Sequence, residues 1–198
     1  MQPPSAILSS RDWTDVLPLD AVFEDPRRPL EVDVGCGKGR FLLARARSNP
    51  GANFLGIDRL IRRLRKLDAR ILRDNIPNVR LLHLEAAYVV EYLLPAASVA
   101  TYHVFFSDPW PKRRHHRRRL FSAGFLDALD RTLAPGGQVN IATDYMDYFA
   151  AIANLFRRDP RFVETEAFHP AEEERTDFEI TFLRKGTPIG RCSFRKAP

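Results

Sequence analysis

The sequence predicts an α/β fold, a doubly wound and mostly parallel β-sheet with a C-terminal antiparallel hairpin. Three observations support this prediction. Short apolar runs alternate with helical patterns from residue 30 onward. A glycine-rich turn follows the first apolar run. After Pro160 the pattern changes to strand-like segments separated by a Gly-Thr-Pro turn. Five strand–helix units followed by an antiparallel tail place ligands at the carboxyl ends of the parallel strands.

The individual elements follow from periodicity and from breaker residues. Buried parallel strands are predicted at 30–34, 53–57, 79–84, 99–106 and 138–143. Helices are predicted at 39–48, 59–74, 87–94, 121–133 and 145–157. Further strands are predicted at 162–168, 178–183 and 189–194, the last two forming the closing hairpin. Residues 1–29 are rich in proline and predict an irregular N-terminal arm, so residues 30–198 form one predicted domain.

Composition narrows the class of protein. A chain of 198 residues with 44% hydrophobic residues can bury one sizeable core. It has no apolar run of the roughly 20 residues that span a bilayer, and the first 30 residues lack the features of a signal peptide, so we expect a cytoplasmic protein. Cys36 and Cys192 are far apart and form no Cys-x-x-Cys, which indicates neither a disulfide framework nor a metal site. A net charge of +6 indicates an anionic partner, nucleic acid rather than membrane.

The positive charge is concentrated in one segment. Residues 112–119 contain six Lys or Arg residues, as many as the whole net charge of +6. This run follows Asp108-Pro109-Trp110 at the end of a predicted strand. A carboxylate, an aromatic ring and a basic run together suit a site that orients a base and binds a phosphate backbone. The alternative is a solvated surface loop.

The glycine turn Gly35-Cys36-Gly37-Lys38-Gly39 indicates a cofactor site. A dinucleotide site needs Gly-x-Gly-x-x-Gly, but the third glycine comes one residue early and position 40 is Arg. S-adenosylmethionine instead needs acidic partners for its ammonium group, its ribose hydroxyls and its adenine amino group. Asp33, Asp58 and Glu85, at the ends of three consecutive predicted strands, fit these three needs in that order. Each carboxylate alone has the alternative role of a helix N-cap or a surface charge.

Five motifs follow one another along the chain: the glycine turn, Gly56-Ile57-Asp58, the Asp-Pro-Trp segment with its basic run, Ala142-Thr143-Asp144-Tyr145 and Thr176-Asp177-Phe178-Glu179. With these motifs in this order, the chain resembles the bacterial tRNA (guanine-N7-)-methyltransferases over residues 30–195. The resemblance implies a class I methyltransferase (Rossmann-like) fold. It also implies S-adenosylmethionine as cofactor and tRNA as partner, with methylation at N7 of a guanosine in the variable loop.

The resemblance also implies a role for individual residues. The cofactor would be bound by Asp33, Gly35, Gly37, Gly39, Asp58 and Glu85, and Asp108 would be the active-site carboxylate. Substrate would be bound by Lys112, Asp144, Thr176, Asp177, Phe178 and Glu179. RNA would be contacted by Arg114, His115, His116, Arg117, Arg118 and Arg119. The family usually has Glu at positions 33 and 58, Asp at 85 and Pro at 107, where this chain has Asp33, Asp58, Glu85 and Ser107.

The expected chemistry depends on positioning. Guanine N7 is an unprotonated lone pair, so its methylation needs no general base. Asp108 would accept hydrogen bonds from guanine N1 and N2 and offset the positive charge that develops on the purine. Asp144 is expected to face the same crevice, and Trp110 would either stack on the base or pack under the loop. The competing functions are another class I RNA methyltransferase, a non-catalytic RNA-binding module and, less well supported, a nicotinamide oxidoreductase.

Overall fold

Seven β-strands and seven α-helices make up the computed structural model, which describes residues 5–9 and 13–197. The strands are β1 Leu30–Val34, β2 Asn53–Ile57, β3 Val79–Leu82, β4 Val99–Phe105, β5 Leu133–Thr143, β6 Phe162–Thr165 and β7 Gly190–Lys196. The helices are α1 Leu19–Val22, α2 Arg40–Ser48, α3 Ile61–Arg73, α4 Ala86–Tyr88, α5 Ala123–Thr132, α6 Met146–Arg157 and α7 Asp177–Arg184. A π-helical turn, Val89–Leu93, continues α4, and 3₁₀ turns lie at Arg113–Arg118 and Glu172–Glu174.

All seven strands form one sheet in the order β3-β2-β1-β4-β5-β7-β6. The first five run parallel, and β7 is antiparallel to both β5 and β6. The predicted doubly wound, mostly parallel sheet is therefore confirmed. The strand order reverses at β1 and β4: the chain adds β2 and β3 on one side of β1 and then continues with β4 on its other side. Ligands of open α/β sheets bind at such a switch point.

The C-terminal prediction was wrong in one element. Residues 178–183 lie in helix α7 and not in a strand, so the antiparallel pair consists of β6 and β7. Apolar and polar residues alternate from Phe178 to Phe182, and most of them are aromatic or β-branched, which favours a strand. However, Thr176 caps the helix by accepting a hydrogen bond at its hydroxyl from the Glu179 backbone N–H over 3.0 Å. Thr-x-x-Glu is the capping-box pattern, and the acidic residues of the first turn interact favourably with the positive end of the helix dipole.

Apolar side chains cover both faces of the sheet. Helices α2 and α3 pack on one face, where Leu42, Leu64, Leu67 and Ile71 are buried against β2 and β3. The opposite face is covered mainly by the π-helical turn and by helices α5 and α6. The spacing of Leu60, Leu64, Leu67 and Ile71 predicts one apolar face for α3. The last three are buried, but Leu60 precedes α3 and is 45% exposed, and the arginine-rich face is turned toward solvent.

The described part of the N-terminal arm is attached to the β3 edge. Ile7 forms a parallel bridge with Leu81, and Asp68 of α3 accepts hydrogen bonds from the Ser5 hydroxyl and the Ala6 N–H. The arm also includes α1, which the prediction of an irregular segment did not anticipate. Within the described residues, no helix is both long enough and apolar enough to span a bilayer.

Candidate active site

A cavity of about 820 Å³ opens at the carboxyl ends of β1, β2, β3 and β4. This is the edge of the sheet where the sequence places the ligand site. Several of the sequence-predicted residues line it together: Gly35, Gly37, Asp58, Glu85, Asp108, Arg117, Arg118, Arg119 and Phe178. One cavity therefore joins the glycine turn to the acidic and basic residues that follow β4.

The glycine turn has the left-handed backbone that its three glycines allow. Gly35, Gly37 and Gly39 have φ values of 81°, 57° and 71°. At Gly39 a Cβ atom would lie 2.3 Å from a methyl carbon of Leu67, a buried residue of α3. Gly39 is thus required both for the turn and for its close packing on α3.

Asp58 connects the glycine turn to the end of β2. Its carboxylate accepts hydrogen bonds from the backbone N–H of Gly37 over 3.0 Å and of Leu60 over 2.7 Å. The Arg63 guanidinium lies 3.6 Å away. Asp58 is 7% exposed and lines the cavity, so the same carboxylate shapes the turn and faces the ligand space.

Asp33 is a buried carboxylate beside the glycine turn. It is 5% exposed, and no residue in the described part of the chain donates a hydrogen bond to its side chain. Burial, and then the negative charge of Asp58, raise the pKa of Asp33 to about 7. Asp33 does not border the cavity directly. A buried carboxylate that lacks donors favours a cation as its partner.

The raised pKa of Asp33 predicts a specific dependence of stability on pH. Because the folded protein holds this proton up to about pH 7 and the unfolded chain releases it near 3.8, the unfolding free energy falls as the pH rises between these values. This one group accounts for about 4 kcal/mol of that fall in total, of which about 2.5 kcal/mol lies between pH 5 and pH 7.5. Urea unfolding of the protein and of Asp33→Asn at pH 5 and pH 7.5 measures it. Equal pH dependence in both proteins would contradict the raised pKa.

Asp108 lies at the rim of the cavity, after β4. Its side chain is 69% exposed, and its one ion pair among the described residues is with Arg59, at 3.7 Å. Arg59 follows Asp58 directly and also lines the cavity. The carboxylate is therefore accessible to a ligand, with an arginine that follows β2 beside it.

Two aromatic residues with left-handed backbone flank Asp108. Phe106 has φ 56° and Trp110 has φ 43°, conformations that are strained for bulky residues. The Trp110 ring is packed by Arg118, whose guanidinium carbon lies 5.0 Å from the ring centre, and by the edge of His115. These contacts hold the ring against the basic run, and Trp110 also lines the cavity, so packing under the loop and stacking on the base both stay predictions. Phe178, which is 56% exposed, is the more open ring at the cavity.

The basic run forms the 3₁₀ turn Arg113–Arg118 and the residue after it. Arg119 fixes the run in place, because its Nε donates to the Pro109 carbonyl over 2.8 Å and its guanidinium lies over the Tyr148 ring. By contrast, Arg114, His116 and Arg117 are exposed. The run therefore joins one anchored residue, Arg119, to exposed cations, of which Arg117 also lines the cavity.

Comparison with known proteins identifies the family. Residues 27–192 match the methyltransferase family Methyltransf_4. The chain is 33% identical to the tRNA (guanine-N(7)-)-methyltransferase of Nitrosococcus oceani over 93% of this chain and 78% of that protein. It is 34% identical to the enzyme of the same name from Halorhodospira halophila, over 92% of this chain and 81% of that protein. The chain belongs to the tRNA (guanine-N7-)-methyltransferase family.

A solved structure of another methyltransferase has the same fold. The 16S rRNA methyltransferase KamB superposes with a TM-score of 0.65 at 19% identity, over 90% of this chain and 94% of that one. At this identity the likeness concerns the fold alone, which is that of the class I methyltransferases.

Not every residue that the resemblance to the tRNA (guanine-N7-)-methyltransferases implies lies at the cavity. Among the predicted substrate residues, only Phe178 lines it, and the others lie outside its lining: Lys112, Asp144, Thr176, Asp177 and Glu179. Lys112 is exposed and Asp144 half-buried. Thr176 caps α7, and Glu179 is 4% exposed and accepts a hydrogen bond from Arg191 of β7.

The structure of this family member also adds cavity residues that the sequence reasoning missed. They are Arg59, Arg63, Glu91 and Phe106. Arg59 was detectable, because it directly follows the acidic residue that ends β2. Glu91 was not, because its place depends on the π-helical turn after α4. Within residues 5–9 and 13–197, no group of three or more His, Cys, Asp or Glu side chains is arranged to hold a metal ion.

Proposed function

We propose that this protein transfers a methyl group from S-adenosylmethionine to N7 of a guanosine in the variable loop of tRNA, in the cytoplasm. The observation that carries the proposal is the shared cavity. It brings Asp58 and the glycine turn into one space with Asp108 and with Arg117, Arg118 and Arg119. Family membership independently supports the same activity.

The acidic residues fit this cofactor better than a dinucleotide. Asp33 and Asp58 lie close enough for the charge of Asp58 to raise the pKa of Asp33. A pyrophosphate would add negative charge to this pair, whereas the ammonium and sulfonium of S-adenosylmethionine would neutralise it. Asp33 would attract the ammonium group, Asp58 would bind the ribose hydroxyls, and the exposed Glu85 would bind the adenine amino group.

The cofactor supplies an electrophilic methyl group, and the protein must present the guanine to it. N7 has no proton to lose, so no side chain has to act as a base. Asp108 would accept hydrogen bonds from the N1 and N2 hydrogens and hold the ring in line for transfer. Its negative charge would also stabilise the cation that develops on the purine. For this, Asp108 must exchange its contact with Arg59 for the base.

The deciding experiment is incubation with methyl-labelled cofactor and bulk tRNA, followed by nucleoside mass spectrometry. We expect the label in 7-methylguanosine, and partial nuclease digestion into oligonucleotides should place the labelled nucleoside in the variable loop. Label in another nucleoside would indicate a different class I RNA methyltransferase. Binding of tRNA without any label would indicate a non-catalytic RNA-binding module.

The exposed arginines of the basic run should bind tRNA phosphates. Replacing Arg114 and Arg117 by Gln should weaken tRNA binding and lower the slope of log affinity against log salt concentration by about 1.5, because each lost phosphate contact removes roughly 0.7 to 0.9. Arg119, which anchors the run, is left in place. Filter binding over a salt series measures both quantities, and calorimetry should show unchanged cofactor affinity.

A charge-matched control separates local contacts from net charge. Arg158 and Arg195 are exposed basic residues at the β6–β7 side of the sheet, away from the cavity. Their double Gln variant removes the same charge, and we expect it to keep nearly the full slope. If both double variants lose the same affinity, the basic run binds no phosphate specifically.

A further inference from the structure

Helix α3 carries a second concentration of positive charge, separate from the basic run. It has five basic residues on the side of the helix away from the buried Leu64, Leu67 and Ile71, namely Arg62, Arg63, Lys66, Arg70 and Arg73. We call these five residues the basic face of α3. Apart from Arg63, which lies beside Asp58 at the cavity, these residues have no part in the site described above.

This arrangement is unfavourable for an isolated helix. Arg62 and Lys66, and Lys66 and Arg70, are like-charge pairs four residues apart, which destabilise a helix. The first turn contains no acidic residue, and it places Arg62 and Arg63 at the positive end of the helix dipole. A face selected only for solubility would alternate its charges. The repulsion here indicates an anionic partner that relieves it.

In the part of the chain that the structure describes, acidic side chains pair with only two members of the basic face. Arg63 lies 3.6 Å from Asp58, and Arg73 pairs with Asp74. The single acidic residue within α3, Asp68, bonds to Ser5 and Ala6 of the N-terminal arm. Among the described residues, Arg62 and Lys66 have no acidic side chain within ion-pair distance.

The basic face begins at the wall of the active-site cavity. Arg63 lines the cavity together with Arg59, and Arg117, Arg118 and Arg119 line it from the segment after β4. Positive charge therefore flanks the cavity on two sides, contributed by two separate elements. An RNA strand that enters the cavity from the basic run would leave it along α3.

We propose that the basic face of α3 is a second contact for the tRNA backbone, across the cavity from the basic run. This inference rests on the proposed function. A thirteen-residue helix is about 20 Å long, enough to contact several successive phosphates. An anionic membrane fits less well, because membrane-surface helices place large apolar side chains beside their charges. Here the large apolar residues of α3 are buried in the core.

The test compares two double variants with the same loss of charge, R62Q/K66Q and the control R158Q/R195Q. We expect R62Q/K66Q to weaken tRNA binding roughly tenfold near 100 mM salt and to lower the salt slope by about 1.5. The control should change both much less. The KM for tRNA should rise with little change in the single-turnover rate, and cofactor affinity should stay constant. Without RNA, the melting temperature of R62Q/K66Q should equal or exceed that of the wild type, because repulsion is removed.

Equal losses in the two double variants would overturn the proposal, since only net charge would matter. An unchanged tRNA affinity of R62Q/K66Q would also overturn it. So would a variant that binds tRNA normally but no longer binds phosphatidylglycerol vesicles, because that result would assign the basic face to a membrane. The nucleoside analysis of the wild type distinguishes failure of this proposal for α3 from failure of the proposed function. If no 7-methylguanosine forms but R62Q/K66Q still selectively weakens tRNA binding, the RNA contact stands and the assigned reaction does not.

Discussion

Replacing Asp108 by Asn should lower the single-turnover methylation rate about 100- to 1000-fold while tRNA affinity changes only a few-fold. The carboxylate is expected to act mainly in the transition state, where it offsets charge that appears as the methyl transfers. Asn keeps the size of the side chain but removes this charge. Contacts of the basic run with phosphates do not depend on Asp108. Single-turnover kinetics with saturating enzyme and cofactor, alongside filter binding of tRNA, measures the two effects separately.

Two control variants sharpen the interpretation of Asp108→Asn. Asp144→Asn removes the other carboxylate proposed for this role, which does not line the cavity, and we expect a near-normal rate. Arg59→Gln removes the partner of Asp108, 3.7 Å away, without removing the carboxylate. A large loss in Asp144→Asn with a near-normal rate in Asp108→Asn would transfer the catalytic role to Asp144. A rate that falls only in step with tRNA affinity would make Asp108 a docking residue.

Replacing Arg191 by Met should destabilise the fold by about 3 to 5 kcal/mol. Arg191 is the hydrogen-bonded partner of Glu179, whose side chain is 5% exposed. Removing the arginine leaves a buried carboxylate whose nearest remaining cation, Arg175, lies 4.0 Å away. Breaking one partner of a buried ion pair is much more damaging than replacing both. Urea unfolding monitored by circular dichroism gives the change in unfolding free energy.

The double variant Glu179→Leu with Arg191→Met distinguishes a structural role from substrate binding. If the pair only joins α7 to β7, the double variant should recover most of the lost stability and keep its tRNA affinity. The resemblance to the family implies instead that Glu179 binds substrate. Stability that is unchanged in Arg191→Met, together with weaker tRNA binding, would support that role and exclude the structural one.

The sequence predicted the central sheet well, because its strands are buried on both faces. Continuous apolar runs such as Phe54 to Ile57 have few alternatives to a buried strand, and the breaker residues between such runs fix the order of strands and helices. The edge of the sheet that holds the ligand site could be predicted from the same order, because the loops at the carboxyl ends of parallel strands lie close together. Asp58 and Asp108 come after strand ends, and both line the cavity at the edge where the sequence predicts the ligand site.

Residues 176–191 were harder to predict, because two signals conflict there. The alternation of apolar and polar residues from Phe178 to Phe182 favours a strand, whereas the hydrogen bond by which Thr176 caps α7 stabilises a helix. The same helix buries Glu179 against Arg191, a contact between residues twelve positions apart that no local pattern indicates. The contact of Arg59 with Asp108 likewise depends on the distance between two strand ends, which sequence alone does not contain.

The position of β7 has a consequence for folding during synthesis. This strand is the last of the seven along the chain, yet it lies inside the sheet between β5 and β6. Until residues 190–196 are available, β5 has an open edge and β6 has no strand to pair with. Exposed edges of this kind are templates for intermolecular pairing. A translation product truncated before residue 190 should therefore aggregate rather than accumulate as a partly active enzyme, which makes complete synthesis a condition for solubility.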